Sequence, residues 1–210
     1  MKYLKMLGLA AIAAAALAAF LGAGTASATV LCENNQTTAC QNDVLAGAKL
    51  DFSAEDSTAL TGPFGITIAT CTASTVEGTI TNTGGSAATT IGSITKLTFE
   101  GCNRNVTSTT TTGTLEIHQE AGTDSGTVTS NDTTVVIHEL SGIGFPDTCN
   151  YLTNNTDIGT LTGKVEGGVV KAPTFDISAT IPTQTPGCVA GTWEGHYLYT
   201  GTTPFIVGAC

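Results

Sequence analysis

The length, composition and charge of this chain narrow the classes of protein to which it can belong. It has 210 residues, only 11% of them charged, and its seventeen acidic residues outnumber seven basic ones, which gives a formal net charge of −10. A field of this sign repels the phosphates of nucleic acids and anionic lipids, so nucleic acid is not expected as a partner. About a fifth of the residues are Thr, which favours exposed strand faces covered by hydroxyl groups.

The first 28 residues have the three parts of a secretory signal peptide. Lys2 and Lys5 form the basic region, Met6 to Leu21 form the apolar region, and Ala26-Ser27-Ala28 fits the cleavage site. Because the apolar run is short for a membrane span, we expect export with a mature chain that begins at Thr29 and has no transmembrane segment. Loss of the two lysines leaves five basic residues against seventeen acidic ones, a net charge of −12.

Seven cysteines in an exported chain indicate disulfide bonds and not a metal site. No two of them have the C-x₂-C spacing of a structural zinc site. Sequence alone does not determine connectivity, and we favour three pairs: Cys71–Cys102, Cys149–Cys188 and Cys32–Cys40. Cys210 is then left over, and it could pair with Cys32 or Cys40, stay free, or bridge two molecules and so cause self-association.

The N-terminal part of the mature chain leads into a central stretch of alternating residues. Residues 29–46 are polar, and we expect an irregular segment pinned by Cys32 and Cys40. A first strand follows at 49–53. The stretch 67–102 then contains three runs rich in Ile and Thr that alternate between apolar and polar side chains, the pattern of half-buried strands. We expect these runs to form a meander clamped by Cys71 and Cys102.

The remaining chain alternates in the same way. Residues 133–140 are apolar on both faces, which predicts a strand in the middle of a sheet. Further strands are expected at 114–119, 126–129, 174–181 and 192–200. No stretch of the mature chain has a helical period, so we predict an antiparallel β-sandwich with Greek-key or jelly-roll connections. Residues 47–210 would form it as a single domain.

Several of these segments resemble a known group of proteins. The segments are CTAST, GTITNTGG and ITKLTFEGC, followed by GTLTG, PTFDISATIP and GTWEGHYLYT. Together they resemble uncharacterised small secreted β-rich proteins of Gram-positive bacteria that contain disulfides. The resemblance extends from about Leu50 onward and leaves out Cys32, Cys40 and Cys210. Because its motifs are cysteine pairs, Gly turns and an aromatic strand, it implies a shared fold and carries no catalytic residue.

Two of the three histidines occur in similar contexts. His118 lies in EIHQE and His138 in IHE, and adjacent strands would bring both beside a carboxylate to form a His₂/acid metal site. The alternative is two unrelated histidines. We favour the alternative because no spacing rule joins these strands, and we predict no metal and no cofactor.

Glu194 and His196 are two residues apart on one strand and therefore share a face. They could act as a general acid–base pair in a hydrolase. However, the chain has no G-x-S-x-G motif to supply a serine nucleophile, and its cysteines are better explained as disulfides.

Trp193, Tyr197 and Tyr199 share the opposite face of the same strand. If exposed, this face would bind a sugar or an apolar ligand; the alternative, which we favour, is that it belongs to the core. We therefore expect a secreted, non-catalytic protein with a structural or binding role outside the cell or at the cell envelope, with its partner unknown. The competing class is a secreted hydrolase or metal-binding enzyme that uses the histidines and acidic residues named above.

Overall fold

In the computed structural model, the described residues are 29–33, 40, 43–84, 89–108 and 113–209. They form β-strands joined by turns, with single 3₁₀ turns at Pro63–Gly65 and Ser141–Ile143, so the prediction of an all-β chain is confirmed. No helix among these residues has the length and apolar character needed to cross a membrane. The predicted signal peptide at 1–28 and Cys210 lie outside the described residues.

The strands are, in chain order, β1 (Thr29–Cys32), β2 (Lys49–Ala54), β3 (Thr58–Thr61), β4 (Thr67–Cys71), β5 (Ala73–Asn82), β6 (Thr90–Glu100), β7 (Val106–Ser108), β8 (Thr114–Gln119), β9 (Ser125–Asn131), β10 (Thr134–Ile137), β11 (Cys149–Leu152), β12 (Thr156–Glu166), β13 (Val169–Ile181), β14 (Gly191–Tyr199) and β15 (Ile206–Ala209).

Eight of these strands form one closed antiparallel sheet, a barrel. Around the barrel the order is β2, β5, β6, β8, β9, β12, β13 and β14, and β14 pairs with β2 to complete the circle. Since this is also the order of these strands along the chain, the barrel is an up-and-down meander. The predicted β-sandwich with Greek-key or jelly-roll connections is therefore wrong.

The sandwich prediction failed because it depended on the alternation of apolar and polar residues, which β-sandwiches and β-barrels share. Strands of a sandwich and strands of a barrel alike alternate between a buried and an exposed face. What distinguishes the barrel is the pairing of its first strand with its last, in which Tyr197 of β14 lies opposite Ala54 of β2 and Tyr199 lies opposite Phe52. That pairing joins residues from opposite ends of the chain, and no local pattern encodes it.

The alternation within individual strands was predicted correctly. In β14, Trp193, Tyr197 and Tyr199 are buried, whereas Glu194 and Leu198 are exposed. Tyr197 and Tyr199 belong to the main core inside the barrel, which also contains residues of the facing strands such as Phe52, Leu115, Val128 and Phe175.

A two-stranded ribbon of β1 and β15 lies at one end of the barrel. The ribbon packs Leu31 and Val207 into the main core, and the Thr29 hydroxyl accepts a hydrogen bond of 2.8 Å from the backbone N–H of Gln119 at the end of β8. Thus the first four residues of the segment predicted to be irregular, 29–46, form a buried strand.

A three-stranded sheet lies at the opposite end, where β9 ends and β12 begins. Its order is β11–β10–β7, so 133–140 contributes a central strand, as predicted. We call these three strands the capping sheet. Ile137 and Tyr151 of this sheet pack against the β3–β4 hairpin and against Trp193 of the barrel in a second apolar cluster.

The central stretch 67–102 is divided between these parts. β5 and β6 are neighbours in the barrel, whereas β4 pairs with β3 outside it. The expected three-stranded meander is therefore wrong for its first strand. The Cys71–Cys102 disulfide instead closes the open end of the β5–β6 pair, just beyond the opposed residues Ala73 and Glu100.

Candidate binding cavity

The interior of the barrel is filled unevenly. In its middle, between Leu50, Ile117 and Leu161, about 10 Å³ is left unfilled. Beneath the capping sheet a cavity of about 80 Å³ remains. Its apolar walls come from both the barrel and the capping sheet and include Val76, Ile94, Leu115, Ile158, Phe175, Ile177 and Val135. An eight-stranded barrel is just wide enough either for side chains to fill it or for one small ligand.

Small hydroxyl residues on one wall help to explain the cavity. Ser130 of β9 is 2% exposed at an inward-facing position where other strands carry Leu, Ile or Phe. Its hydroxyl oxygen lies 2.9 Å from that of Thr133 and 3.0 Å from that of Thr153, both of which also line the cavity. Because these hydroxyls satisfy one another, the polar groups of this wall can be buried without a partner in the cavity.

Tyr151 of β11 differs from these residues. It lines the cavity and is 2% exposed, and among the described residues nothing forms a hydrogen bond with its hydroxyl oxygen. Burial raises the pKa of this phenol above its ordinary value of 10.0, so the group is a neutral hydrogen-bond donor at neutral pH. A buried polar atom without a partner is uncommon in native proteins. A tyrosine in a short strand has no distinguishing local pattern, so Tyr151 was not predictable from the sequence.

The three aromatic side chains that were predicted to share one face lie in two different places. Trp193 and Tyr197 line the cavity, and the Trp193 indole N–H donates a hydrogen bond of 3.3 Å to the Tyr197 hydroxyl. The Tyr197 hydroxyl in turn donates to the Ser74 hydroxyl at 3.1 Å. Tyr199 lies away from the cavity, edge-on to Phe52 and Phe205. The chain has one Trp, so its indole fluorescence reports on this cavity.

The capping sheet is attached to the rest of the protein by covalent and hydrogen bonds. The Cys149–Cys188 disulfide joins the start of β11 to the segment before β14, and the backbone N–H of Asn150 donates to the Thr185 hydroxyl at 3.0 Å. Among the described residues there are three disulfides, Cys149–Cys188, Cys71–Cys102 and Cys32–Cys40, and these are the pairs favoured from the sequence. Three intramolecular disulfides are compatible with an extracellular protein.

His118 and His138 lie in different sheets. Nε2 of His118, on β8 of the barrel, is 3.7 Å from Oε2 of Glu116 on the same strand. His138 follows β10 of the capping sheet, and its Nδ1 lies 3.0 Å from the Thr148 hydroxyl. Within the part of the chain that the structure describes, no group of three His, Cys, Asp or Glu side chains is arranged to hold a metal ion.

His196 has different partners from the one suggested by the sequence. It lies on the outside of the barrel, where its Nδ1 is hydrogen-bonded to Asp176 on β13 and its Nε2 is 3.4 Å from Oε2 of Glu55. The hydrogen bond to Asp176 is the main cause that raises the pKa of His196 above its ordinary value of 6.5. His196 was expected to pair with Glu194 because both lie on one strand. The carboxylates that contact it instead come from Asp176 on the adjacent strand β13 and from Glu55, which follows β2.

The fold and the cavity define a closed antiparallel barrel with a capped, apolar interior. No family model, curated protein or solved structure matches this chain. The resemblance to small secreted proteins of Gram-positive bacteria therefore stays a prediction.

Proposed function

We propose that this is an exported, non-catalytic binding protein that holds a small apolar molecule beneath its capping sheet. The observation that carries the proposal is the cavity of about 80 Å³, whose walls are almost wholly apolar. Ligand sites in proteins are typically concave and apolar with a few polar groups that fix orientation. Here the cavity lies between two structural units, the barrel and the capping sheet.

The size of the cavity restricts the ligand. A dry apolar cavity of ~150 Å³ is large enough to bind benzene or xenon. With about half that volume, the site fits xenon or a molecule somewhat smaller than benzene, on the order of three to five non-hydrogen atoms.

The non-catalytic part of the proposal is supported by the positions of the reactive side chains. His118 and His138 are in separate sheets, and His196 is on the outer surface with carboxylates for partners. None of these three histidines lines the cavity. For the competing metal enzyme, the described residues contain no group of three His, Cys, Asp or Glu side chains arranged to hold a metal ion.

Fluorescence of Trp193 tests the proposal. We expect 1-bromopropane to quench the emission in a saturable manner, because the bromine of a bound molecule contacts the indole. Val135→Phe should fill the cavity and abolish saturation, since Val135 lines it. Val136→Phe is the matched control, because successive side chains of a strand point to opposite faces. Linear, non-saturating quenching that is equal in all three proteins would show that the cavity is an ordinary packing void.

A further inference from the structure

The tip of the β3–β4 hairpin carries the most exposed large apolar side chain of the described residues. Phe64 is fully exposed and Ile66 is 42% exposed. A Phe ring removes about 150–250 Å² of surface from water when it packs, and the exposure of such a ring is unfavourable because of the hydrophobic effect. The Phe64 ring gains none of this burial within the described chain.

The hairpin tip holds this ring at a defined position. The backbone N–H of Gly62 donates a hydrogen bond of 2.7 Å to the carbonyl of Ile66 and so closes the loop. Pro63 has a fixed φ and stiffens the loop before Phe64. Phe64 itself has a φ of 61°, which is strained for a residue with a bulky side chain. Strained residues of this kind cluster at functional sites, so the displayed ring is a candidate contact.

The surface around the tip is uncharged. The chain has a formal net charge of −10, yet no charged residue occurs between Asp56 and Glu77, the stretch that contains the hairpin. The segment from Ile177 to Trp193 also has no charged residue, and its Val189 lies beside Gly62 at the base of the tip. A partner of this tip therefore needs apolar groups and no complementary charge.

The small area of the tip favours a lipid surface over a protein. A stable protein interface buries about 800 Å² on each partner, whereas a Phe ring supplies about 150–250 Å². A bilayer needs no matching shape, and binding at its surface increases with the apolar area inserted. Anionic lipid is unfavourable, because the negative charge of the chain repels it.

We infer that the tip of the β3–β4 hairpin, with Phe64 at its apex and Ile66 beside it, inserts into the surface of a bilayer of zwitterionic lipid such as phosphatidylcholine. The inference is independent of the proposed function, because it uses no property of the cavity. The binding is weak and reversible. Even a myristoyl chain, with an association constant of about 10⁴ M⁻¹, gives only marginal attachment by itself.

Vesicle flotation tests the inference. The disulfide-bonded protein would be mixed with phosphatidylcholine vesicles, and the association constant obtained from the bound fraction as the lipid concentration is raised. We expect Phe64→Ser to lower this constant at least tenfold, because it removes most of the inserted apolar area. Vesicles that contain phosphatidylglycerol should bind wild type more weakly at low salt, and added salt should reduce this difference.

Leu45→Ser is the matched control. Leu45 is 72% exposed, so its replacement removes an exposed apolar side chain without disturbing the core. β2 and β3 follow one another along β14. Leu45, which precedes β2, therefore lies at the opposite end of the barrel from the hairpin tip. Its replacement should leave the association constant within about twofold of wild type.

Fluorescence separates insertion from adsorption. The chain has one Trp, so Phe64→Trp combined with Trp193→Phe places a single indole at the tip. We expect phosphatidylcholine with brominated acyl chains to quench this indole, and not the indole of Leu45→Trp in the same background. A cooperative thermal unfolding curve establishes that each variant is folded. If the double variant does not fold, Phe64→Trp alone serves, because Trp193 is 6% exposed and gives a constant background.

Three results would overturn the inference. The first is an absence of binding by wild type at about 10 mM lipid, where a constant of about 10³ M⁻¹ gives mostly bound protein. The second is equal binding by wild type and Phe64→Ser, which would place the contact elsewhere on the surface. The third is a dimer in lipid-free sedimentation velocity that Phe64→Ser abolishes, since the tip would then bind a second copy of the chain.

Discussion

Asp176 of β13 and His196 of β14 lie directly opposite each other in the barrel, and the Asp176 carboxylate is hydrogen-bonded to the imidazole Nδ1. On the other side of the ring, Glu55 follows β2, and its backbone N–H donates a hydrogen bond of 2.9 Å to the His196 carbonyl. Since β2 is the first strand of the barrel and β14 is the last, His196 connects the strands at the place where the barrel closes.

This arrangement predicts a pH dependence of stability. The hydrogen bond to Asp176, followed by the charges of Asp176, Glu55 and Asp56, raises the pKa of His196 in the folded protein, against the opposing effect of burial. The contribution of the charged imidazole to the free energy of unfolding is thus fully present below its ordinary pKa of 6.5 and is lost as the pH rises through the higher folded-state pKa. Because the side chains are substantially exposed, we expect an effect below about 1 kcal/mol.

NMR titration of the histidine imidazole signals measures the pKa of His196 directly. The pKa of His196 should be above the ordinary value in wild type and should fall in Asp176→Asn. In urea unfolding, wild type should have a higher free energy of unfolding than His196→Gln in mildly acidic solution, and this difference should disappear as the solution becomes alkaline. An unchanged His196 pKa in Asp176→Asn would contradict the proposed cause.

Two tyrosine hydroxyls predict opposite effects on stability. Without a ligand, Tyr151→Phe should raise the free energy of unfolding by about 1 kcal/mol, because it removes a buried hydroxyl that has no partner. Tyr197→Phe should lower it by about 1–3 kcal/mol, because it removes a hydroxyl bonded to Ser74 and leaves the Trp193 indole N–H unpaired. Urea denaturation of the oxidised proteins measures both. A loss of stability in Tyr151→Phe equal to that in Tyr197→Phe would mean that the Tyr151 hydroxyl has a partner after all.

Removing the disulfides singly should destabilise the protein according to the length of chain that each closes. Cys71–Cys102 spans 31 residues and Cys32–Cys40 spans 8. The chain-entropy account assigns about 4 kcal/mol to the first and about 2.5 kcal/mol to the second. Replacing each pair by Ala and measuring urea unfolding tests this order. The reverse order would show that local packing, and not chain entropy, decides these contributions.

The turn between β3 and β4 offers a test of backbone strain. Phe64 has a φ of 61° in the left-handed region and a fully exposed side chain, so it has unfavourable backbone geometry and no burial to compensate. Phe64→Gly should therefore stabilise the protein by about 1 kcal/mol. The neighbouring Gly65 has a φ of 74° and open space around it, so Gly65→Ala should destabilise by about 1 kcal/mol for conformational reasons alone. Thermal unfolding of both variants measures the contrast. Destabilisation by Phe64→Gly would indicate that the Phe64 ring makes a favourable contact.

Several features were predictable because they depend on neighbouring residues. The alternation TWEGHYLYT predicts which side chains of β14 face inwards, since successive residues of a strand point to opposite faces. The apolar faces of 133–140 likewise predicted the central strand β10. The assignment of 29–32 to an irregular segment missed β1, because its partner β15 is at the other end of the chain.

The candidate site was much less predictable. Trp193 and Tyr197 were recognised as an aromatic face, but the cavity beside them depends on Ser130, Thr133 and Tyr151, which have no distinguishing pattern in the sequence. The partner of His196 was also missed, because Asp176 and Glu55 become its neighbours only when β2, β13 and β14 pair.

By itself, the sequence determined that the chain is all-β and which residues of its main strands are buried. These properties follow from the two-residue period of a strand and from local composition. Only the tertiary structure decided that eight strands close into a barrel, that three others cap it, and that a cavity remains between them. Closure depends on hydrogen bonds between the first and last strands of the barrel, and the cavity is the volume left where side chains from many distant segments meet.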